Sequence, residues 1–418
     1  MTKVYSDTLR MPDELIEAVL SQERVDEPPH NFYKYPARFS PLFARQVIKA
    51  FSRKGDTVID PFCGSGTTLL EAMTLGRRAA GMDVSTLASF ISRTKTTPLS
   101  VHDRGAIEKW CEGVAVETSF CDGECGRLPE EDREHYERNL PDGVRAFFSW
   151  VISEIGQLDK PRQRAFARLI LLSVGQWALD CKTLVPNTES LRDEFVRRLR
   201  EAIRDYSEFL SSTAESNGLP RCRLGSLRRI INRDARDIQG DGRIPPSWLP
   251  AKLVVTSPPY PGVHVVYHRW QIHGRKETPA PFWLANQRDG AGESFYALGR
   301  RDELGLGTYF DRLKDVFASV RSLLSDDAQV FQLVAFADPT WQLPAFLKAM
   351  QEAGFSETLV ETNHECVVGG RVWRQVPGRK WYANRRGDIP ASKEVLLVHR
   401  KCASASLPSD ESASRPRD

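Results

Sequence analysis

Apolar positions recur along the chain with two different periods, and the switch between them divides its 418 residues. Residues 1–29 are polar and mixed, a lead-in with one helix expected over Pro12–Ser21. From residue 30 the character changes. Pro41–Phe51 (PLFARQVIKAF) has helical spacing, Lys54–Asp56 makes a turn, and Thr57–Val58–Ile59 reads as a strand. A helix is expected at LLEAMTLG, then a second strand over Arg78–Met82 that ends at Asp83. That is one β-α-β unit, the building block of a doubly wound parallel sheet.

Between residues 100 and 225 strand signals nearly vanish, and helical patterns run over Val144–Ile155, Arg162–Leu179 and Thr188–Leu210. The charge runs Glu130–Arg138 and Arg192–Arg204 read as solvated helix faces. Alternating character returns over residues 226–402. Strands are expected at Leu227–Ile231, Lys252–Thr256, Gln329–Phe336, Thr358–Asn363 and Glu394–Arg400, with helices at Thr308–Leu323 and Leu343–Ala353. The fold class is therefore α/β: a doubly wound, seven-stranded sheet whose two parts, residues 30–99 and 226–402, are interrupted by a helical insertion. Residues 403–418 are small and polar, and are expected to be a disordered tail.

Composition narrows the class. At 41% apolar and 27% charged, the chain is neither disordered nor fibrous. No secretory signal opens it and no stretch approaches the ~20 apolar residues of a membrane span, so a cytoplasmic location is expected. The eight cysteines are scattered as in a reduced protein, and Cys111, Cys121 and Cys125 do not have zinc-ligand spacing, so no metal is expected. A net charge of +3 leaves any contact with nucleic acid to local basic patches.

Two turns carry chemistry. The first strand runs into Asp60–Pro61–Phe62–Cys63–Gly64–Ser65–Gly66–Thr67–Thr68. A Gly-x-Gly turn feeding a helix offers backbone N–H groups and lets a ligand approach without a Cβ in the way. Asp60 ends the strand, suited to accept from a cofactor's ammonium group or from an ordered loop. Asp83, 17 residues after Gly66, stands near the offset at which an acid meets ribose hydroxyls. The lysine of a triphosphate-binding loop is missing, so the cofactor is adenosyl rather than triphosphate. The second turn, Ser257–Pro258–Pro259–Tyr260, follows the apolar strand Lys252–Thr256. Two prolines remove two donors and leave carbonyls exposed, an acceptor-rich turn suited to an NH₂ group, with Tyr260 placed to stack on a base. Pro-Pro turns also end many strands for structural reasons alone.

Together the two turns resemble those of the DNA amino-methyltransferase family. Asp60–Thr68 match its D-P-F-x-G-S-G-T-T cofactor loop, and Ser257–Tyr260 match its S/D/N-P-P-Y/F/W turn. The resemblance implies S-adenosyl-L-methionine as cofactor. It implies cofactor contacts at Tyr35, Asp60, Phe62, Gly64, Ser65, Gly66, Thr67, Asp83 and Asp234, and catalysis at Ser257, Pro258, Pro259 and Tyr260. Tyr35 belongs to His30–Phe39, similar to the family segment that closes over the methionine end; packing is the alternative. Asp234 looks like the acid facing adenine. Serine in T-S-P-P-Y implies cytosine N4 as acceptor, and adenine N6 is the alternative. The order differs from many cytosine-N4 enzymes, since here the cofactor loop precedes the turn by 191 residues, Gly66 to Ser257.

The implied partner is double-stranded DNA with the target base flipped out, with a companion restriction endonuclease in a restriction-modification or defence setting. Three regions compete for DNA contact. Residues 366–386 hold six Arg or Lys and no acid, among them Arg371, Arg374, Arg379 and Lys380, interleaved with Trp373, Trp381 and Tyr382; a basic hairpin packed on the sheet is the alternative. His264, Tyr267, His268, Arg269 and Trp270 form a second aromatic-basic stretch, suited to bracket a flipped nucleotide or simply to pack, and the helical insertion, residues 100–225, is a third and, by elimination, the one expected to recognise sequence. Two rival readings stand: an RNA guanine-N2 methyltransferase, which shares similar turns but usually carries an RNA-binding domain before them, and a catalytically silent nucleic-acid-binding protein on the same scaffold.

Overall fold

The computed structural model describes residues 8–23, 26–35, 39–117, 130–261, 269–272, 276–289, 298, 303–362, 364–375 and 393–402. Its strands are β1 (Thr8–Arg10), β2 (Thr57–Asp60), β3 (Arg78–Asp83), β4 (Arg228–Asn232), β5 (Ala251–Thr256), β6 (Trp270–Ile272), β7 (Lys276–Thr278), β8 (Leu324–Ala335), β9 (Phe355–Glu357), β10 (Leu359–Glu361), β11 (Val367–Val368), β12 (Arg371–Gln375) and β13 (Lys393–Lys401). The main sheet runs β11-β12-β13-β8-β5-β2-β3-β4, with β9 also paired to β13. From β8 to β4 all neighbours are parallel, whereas β13 is antiparallel to β8, β9 and β12.

The α/β expectation holds, and the sheet is mixed and larger than seven strands. Six expected strands lie in it close to their expected bounds. The seventh, expected over 358–363 in the same sheet, is found as Leu359–Glu361 and pairs with β1 in a separate two-stranded sheet. The unexpected Phe355–Glu357 takes the place beside β13, and Thr358 between them donates its N–H to the Val398 carbonyl. The hairpin β6–β7 was not expected, because three-residue strands are too short to show a period.

Each face of the sheet has its own core. On one, Phe43, Val47 and Ile48 of the helix Pro41–Phe51 pack with Val58, Phe331 and Leu396; proline at its first position loses only an N–H that would have no helical partner. On the other, Leu313, Phe317 and Val320 of the helix Glu303–Arg321 pack with Ile59, Val254 and Val330.

Between β3 and β4 the described residues are mostly helical. Val101–Val116, Glu130–Tyr136, Asp142–Gly156, Pro161–Leu179 and Thr188–Asn217 are the main elements. The longest starts at Asn187, whose side chain accepts from Ser190 N–H, and ends at Gly218 in left-handed conformation. These helices share a third core with Leu87, Ala88 and Ile91 of the sheet-flanking helix Thr86–Lys95, and with Phe32, Tyr33 and Tyr35. Among the described residues no helix is long and apolar enough to cross a membrane.

Candidate active site

Parallel pairing of β2 with β3 and β5 sets Asp60, Asp83 and Thr256 along one edge of the sheet. Asp60 is buried. Its Oδ1 accepts from the Thr256 hydroxyl at 2.6 Å and from Phe62 N–H at 3.1 Å. Its Oδ2 has no partner among the described residues. The Thr68 hydroxyl is near enough to lower the Asp60 pKa, but its one proton goes to the Val255 carbonyl at 3.0 Å. Burial outweighs these hydrogen bonds and pushes Asp60 up to about 6. Asp83 is also pushed up to about 6 by burial, and its two oxygens accept from Gly64 N–H (2.9 Å) and Ser85 N–H (2.8 Å). One acid thus braces the glycine loop, and the other keeps an acceptor in reserve.

The loop depends on its glycines. Gly66 has φ +82°, and a Cβ there would stand 2.8 Å from Ser92 Cβ. Gly64 has φ +48°, and the Tyr35 ring lies 3.3 Å from where its Cβ would be. Ser65 and Thr67 are buried in the turn, and Phe62 is half-buried with its ring 6.5 Å from that of Phe317. Tyr35, Asp60, Phe62, Gly64, Ser65, Gly66, Thr67 and Asp83 therefore gather at one place. Asp234 stands past the end of β4, which pairs with β3 up to Asn232–Asp83. Burial would raise its pKa, but the Arg236 guanidinium and N–H hold it below the usual carboxylate value. A buried acid with an unpartnered oxygen beside a side-chain-free cradle fits the ammonium and adenosyl groups of S-adenosyl-L-methionine.

The proline turn leaves β5 next to this loop. Ser257 Oγ donates to the Leu333 carbonyl of β8 at 2.9 Å, so its lone pairs remain to accept. The Pro259 carbonyl accepts from Tyr309 Oη at 2.7 Å, whereas nothing described donates to that of Pro258. Tyr260 is buried and donates to Glu394 Oε1 at 2.5 Å. Burial, then the Glu394 charge, keeps its phenol well above the ordinary tyrosine value and neutral. Glu394 Oε2 in turn meets Arg374 at 2.6 Å, and Arg374 donates to the Val19 carbonyl at 2.8 Å. The turn rests on a buried Tyr–Glu–Arg chain.

That chain corrects one expected DNA contact. Arg374 points inward on β12 and its guanidinium is committed to Glu394, so it is a buried counter-charge rather than a phosphate ligand. Arg371 is held by Glu357, and Arg269 by Asp289 beside the Phe282 ring. Trp270 does not bracket a base: it is buried against Gly175, and its Nε1 donates to Tyr33 Oη at 3.2 Å. His268, Arg379, Lys380 and Trp381 lie outside the described residues, as do Cys121, Cys125 and the tail 403–418. Glu394 and Tyr309 escaped the sequence reading. A charge opening the buried strand EVLLV was the one available signal for Glu394.

The segment before the cofactor loop is clamped by the helices. His30 Nε2 meets Glu71 at 2.7 Å, Phe32 packs edge-on to Phe166 and Tyr206, and Gln176 bonds both the N–H and the carbonyl of Lys34.

Residues 5–88 match a family model described as DNA methylase. Among curated relatives, a Type II methyltransferase of Methanocaldococcus jannaschii (M.MjaII) is 34% identical over 77 residues, 18% of this chain and 14% of the relative. A Type II methyltransferase of Geobacillus stearothermophilus (M.BsoBI) is 45% identical over 56 residues, 13% and 11% of the two chains. A tRNA (guanine(10)-N2)-dimethyltransferase of Methanothermobacter thermautotrophicus is 40% identical over 70 residues, 16% and 21%. The chain thus spans between 11% and 21% of the length of these relatives.

Proposed function

We propose that this chain, whose residues 5–88 match the DNA methylase family model, moves a methyl group from S-adenosyl-L-methionine to the exocyclic N4 of cytosine in double-stranded DNA. The observation that carries this reading is the 2.6 Å hydrogen bond from Thr256 to Asp60, which ties the strand bearing the Ser257 turn to the cofactor loop. Donor and acceptor subsites then share one sheet edge.

S-adenosyl-L-methionine supplies an electrophilic methyl on a sulfonium. Asp60 Oδ2 would take the cofactor's ammonium group, Gly64 and Gly66 let its body approach, and Tyr35 covers the loop. Asp83 keeps that loop in shape, and Asp234 is the adenine-side acid. At the turn, Ser257 Oγ and the Pro258 carbonyl accept the two amino hydrogens of the base. That arrangement draws the nitrogen lone pair out of ring conjugation and aims it at the methyl carbon; the C–N bond would form as the methyl–sulfur bond breaks to leave a neutral thioether, and the surplus amino proton would pass to solvent. Pro259 fixes the turn, and the Tyr260 ring, tethered through Glu394, is the wall against which the flipped base rests. In a duplex the base reaches this edge only after leaving the stack. A companion nuclease and a restriction-modification setting suit the Type II relatives.

Expression in a methylation-free host, followed by base-resolved sequencing, tests the reading. N4-methylcytosine at a defined motif is expected. N6-methyladenine at a motif would replace the base assignment, and unmodified DNA beside N2-methylguanine in tRNA would favour the RNA reading that the tRNA relative raises.

A further inference from the structure

β4 is the edge strand of the sheet, and arginines of two kinds surround it. Beyond its C-terminal end, Arg233 and Arg243 both meet Asp241, and Arg236 meets Asp234. Around its N-terminal end, Arg78, Arg93, Arg228 and Arg229 meet no carboxylate among the described residues. Arg78 donates to the Ser247 carbonyl at 2.7 Å and Arg93 to that of Ile230 at 3.4 Å. Arg228 takes the Thr96 carbonyl and Thr97 hydroxyl, and Arg229 the Arg228 carbonyl. The guanidinium carbons of Arg229 and Arg78 also stand 4.7 and 6.0 Å from the Trp248 ring centre. Burial, and then the charges of Arg93 and Arg229, push Arg228 below its ordinary pKa.

Two pairs of like charge, Arg93 with Arg228 and Arg78 with Arg229, are thus fixed on neutral groups on the two faces of the edge strand, whereas the arginines beyond its C-terminal end are neutralised. Such an arrangement carries a standing repulsion that a polyanion relieves, and guanidiniums already held in place lose little freedom when they bind one. Location narrows the partner. Arg228 starts β4 and Asn232 ends it beside Asp83, so the cluster lies about 13 Å of strand away from the cofactor edge, at ~3.3 Å per residue. No part of the proposed catalytic site uses it. We propose that Arg78, Arg93, Arg228 and Arg229 bind the sugar-phosphate backbone of a stretch of duplex DNA other than the one at Ser257. The proposal rests on the reading that DNA is the substrate, since a long polyanion already at the catalytic edge is the ligand available to a second basic surface.

The test is binding of an about 40-bp duplex of random sequence, measured by fluorescence anisotropy between about 50 and 200 mM salt. Wild type is compared with Arg93→Glu/Arg229→Glu and with Arg93→Lys/Arg229→Lys. The Glu pair is expected to bind at least about tenfold more weakly, with a log–log salt slope shallower by about 2, and the Lys pair to keep most of the binding. Melting temperature and S-adenosyl-L-methionine affinity stay unchanged in both. Unchanged duplex affinity and slope would overturn the proposal. So would a Lys pair as weak as the Glu pair, which would make the arginines structural, or loss of poly-glutamate binding with duplex binding intact, which would assign the surface to an acidic protein. Because the readout is binding rather than methyl transfer, failure here leaves the proposed reaction standing. A chain that methylates only RNA would fail the proposed function whatever this titration returns.

Discussion

The edge of the sheet and the helical layer are held together by opposite means, and the contrast separates chemistry from support. At the edge, polar groups have capacity to spare: buried Asp60 Oδ2 has no partner among the described residues, and half-buried Ser257 has spent its proton but not its lone pairs. In the helical layer the large side chains are apolar and interlocked, with Phe147, Phe148, Phe166, Phe195 and Tyr206 fully buried. The helices reach the edge through the clamp on His30–Tyr35, through Trp270, and through Asn217, whose amide donates to the Met73 and Thr74 carbonyls at the end of the helix that follows the cofactor loop. A region that spends its free energy on packing is placed to hold the cofactor segment. Sequence recognition by these helices, expected only by elimination, finds no added support in that packing.

Substitutions on the two sides should therefore fail differently. Trp270→Ala empties a fully buried site against Gly175, and should cost about 3–5 kcal/mol by chemical denaturation. Loss below ~1 kcal/mol would deny that the helical layer braces the site. Ser257→Ala should lower the rate of methyl transfer on the order of 100-fold, with cofactor affinity and melting temperature near wild type. Retained transfer would remove the turn from the mechanism.

A pH series probes the spare acceptor. Burial holds Asp60 at about 6 in the protein alone, and a neighbouring ammonium favours its ionised form. A bound cofactor therefore lowers that pKa. Affinity is fully present above 6 and falls as pH drops, approaching tenfold per unit once Asp60 is protonated. Asp60→Asn should flatten the profile in calorimetry, and a wild-type profile flat between pH 7 and about 5 would deny Asp60 the contact. The smallest effect on transfer is expected at Glu394. Glu394→Gln keeps a hydrogen-bond acceptor for Tyr260 but leaves Arg374 buried without its counter-charge, so transfer should fall only a few-fold while stability falls by about 3 kcal/mol. A loss of transfer equal to that of Ser257→Ala would move Glu394 from support into the reaction.

How much of this was legible in the sequence follows the range of the forces. The β2 turn was readable because Asp60, Gly64 and Gly66 serve a local backbone shape, and local shape leaves a local pattern. Strands β2, β3, β5, β8 and β13 were readable because burial on both faces makes short apolar runs. Arg374 was misjudged because the charge that explains it lies on β13, 20 residues further on, and a row of arginines looks the same whether it faces phosphates or a buried acid. Trp270 was ambiguous for the same reason: its partner, Gly175, is on a helix nearly a hundred residues earlier. Phe355–Glu357 was missed because three residues are too short to show a period, and the removal of Leu359–Glu361 to β1 was invisible because strand partners leave no mark on the strand itself.

The most direct test of the central claim is transfer of a labelled methyl from S-adenosyl-L-methionine by the purified chain, offered duplex DNA and tRNA together, with digestion of each to nucleosides, beside Ser257→Ala. The account predicts label in N4-methylcytosine from the wild-type chain and little from the variant. Label confined to tRNA, or DNA label undiminished in Ser257→Ala, would contradict it.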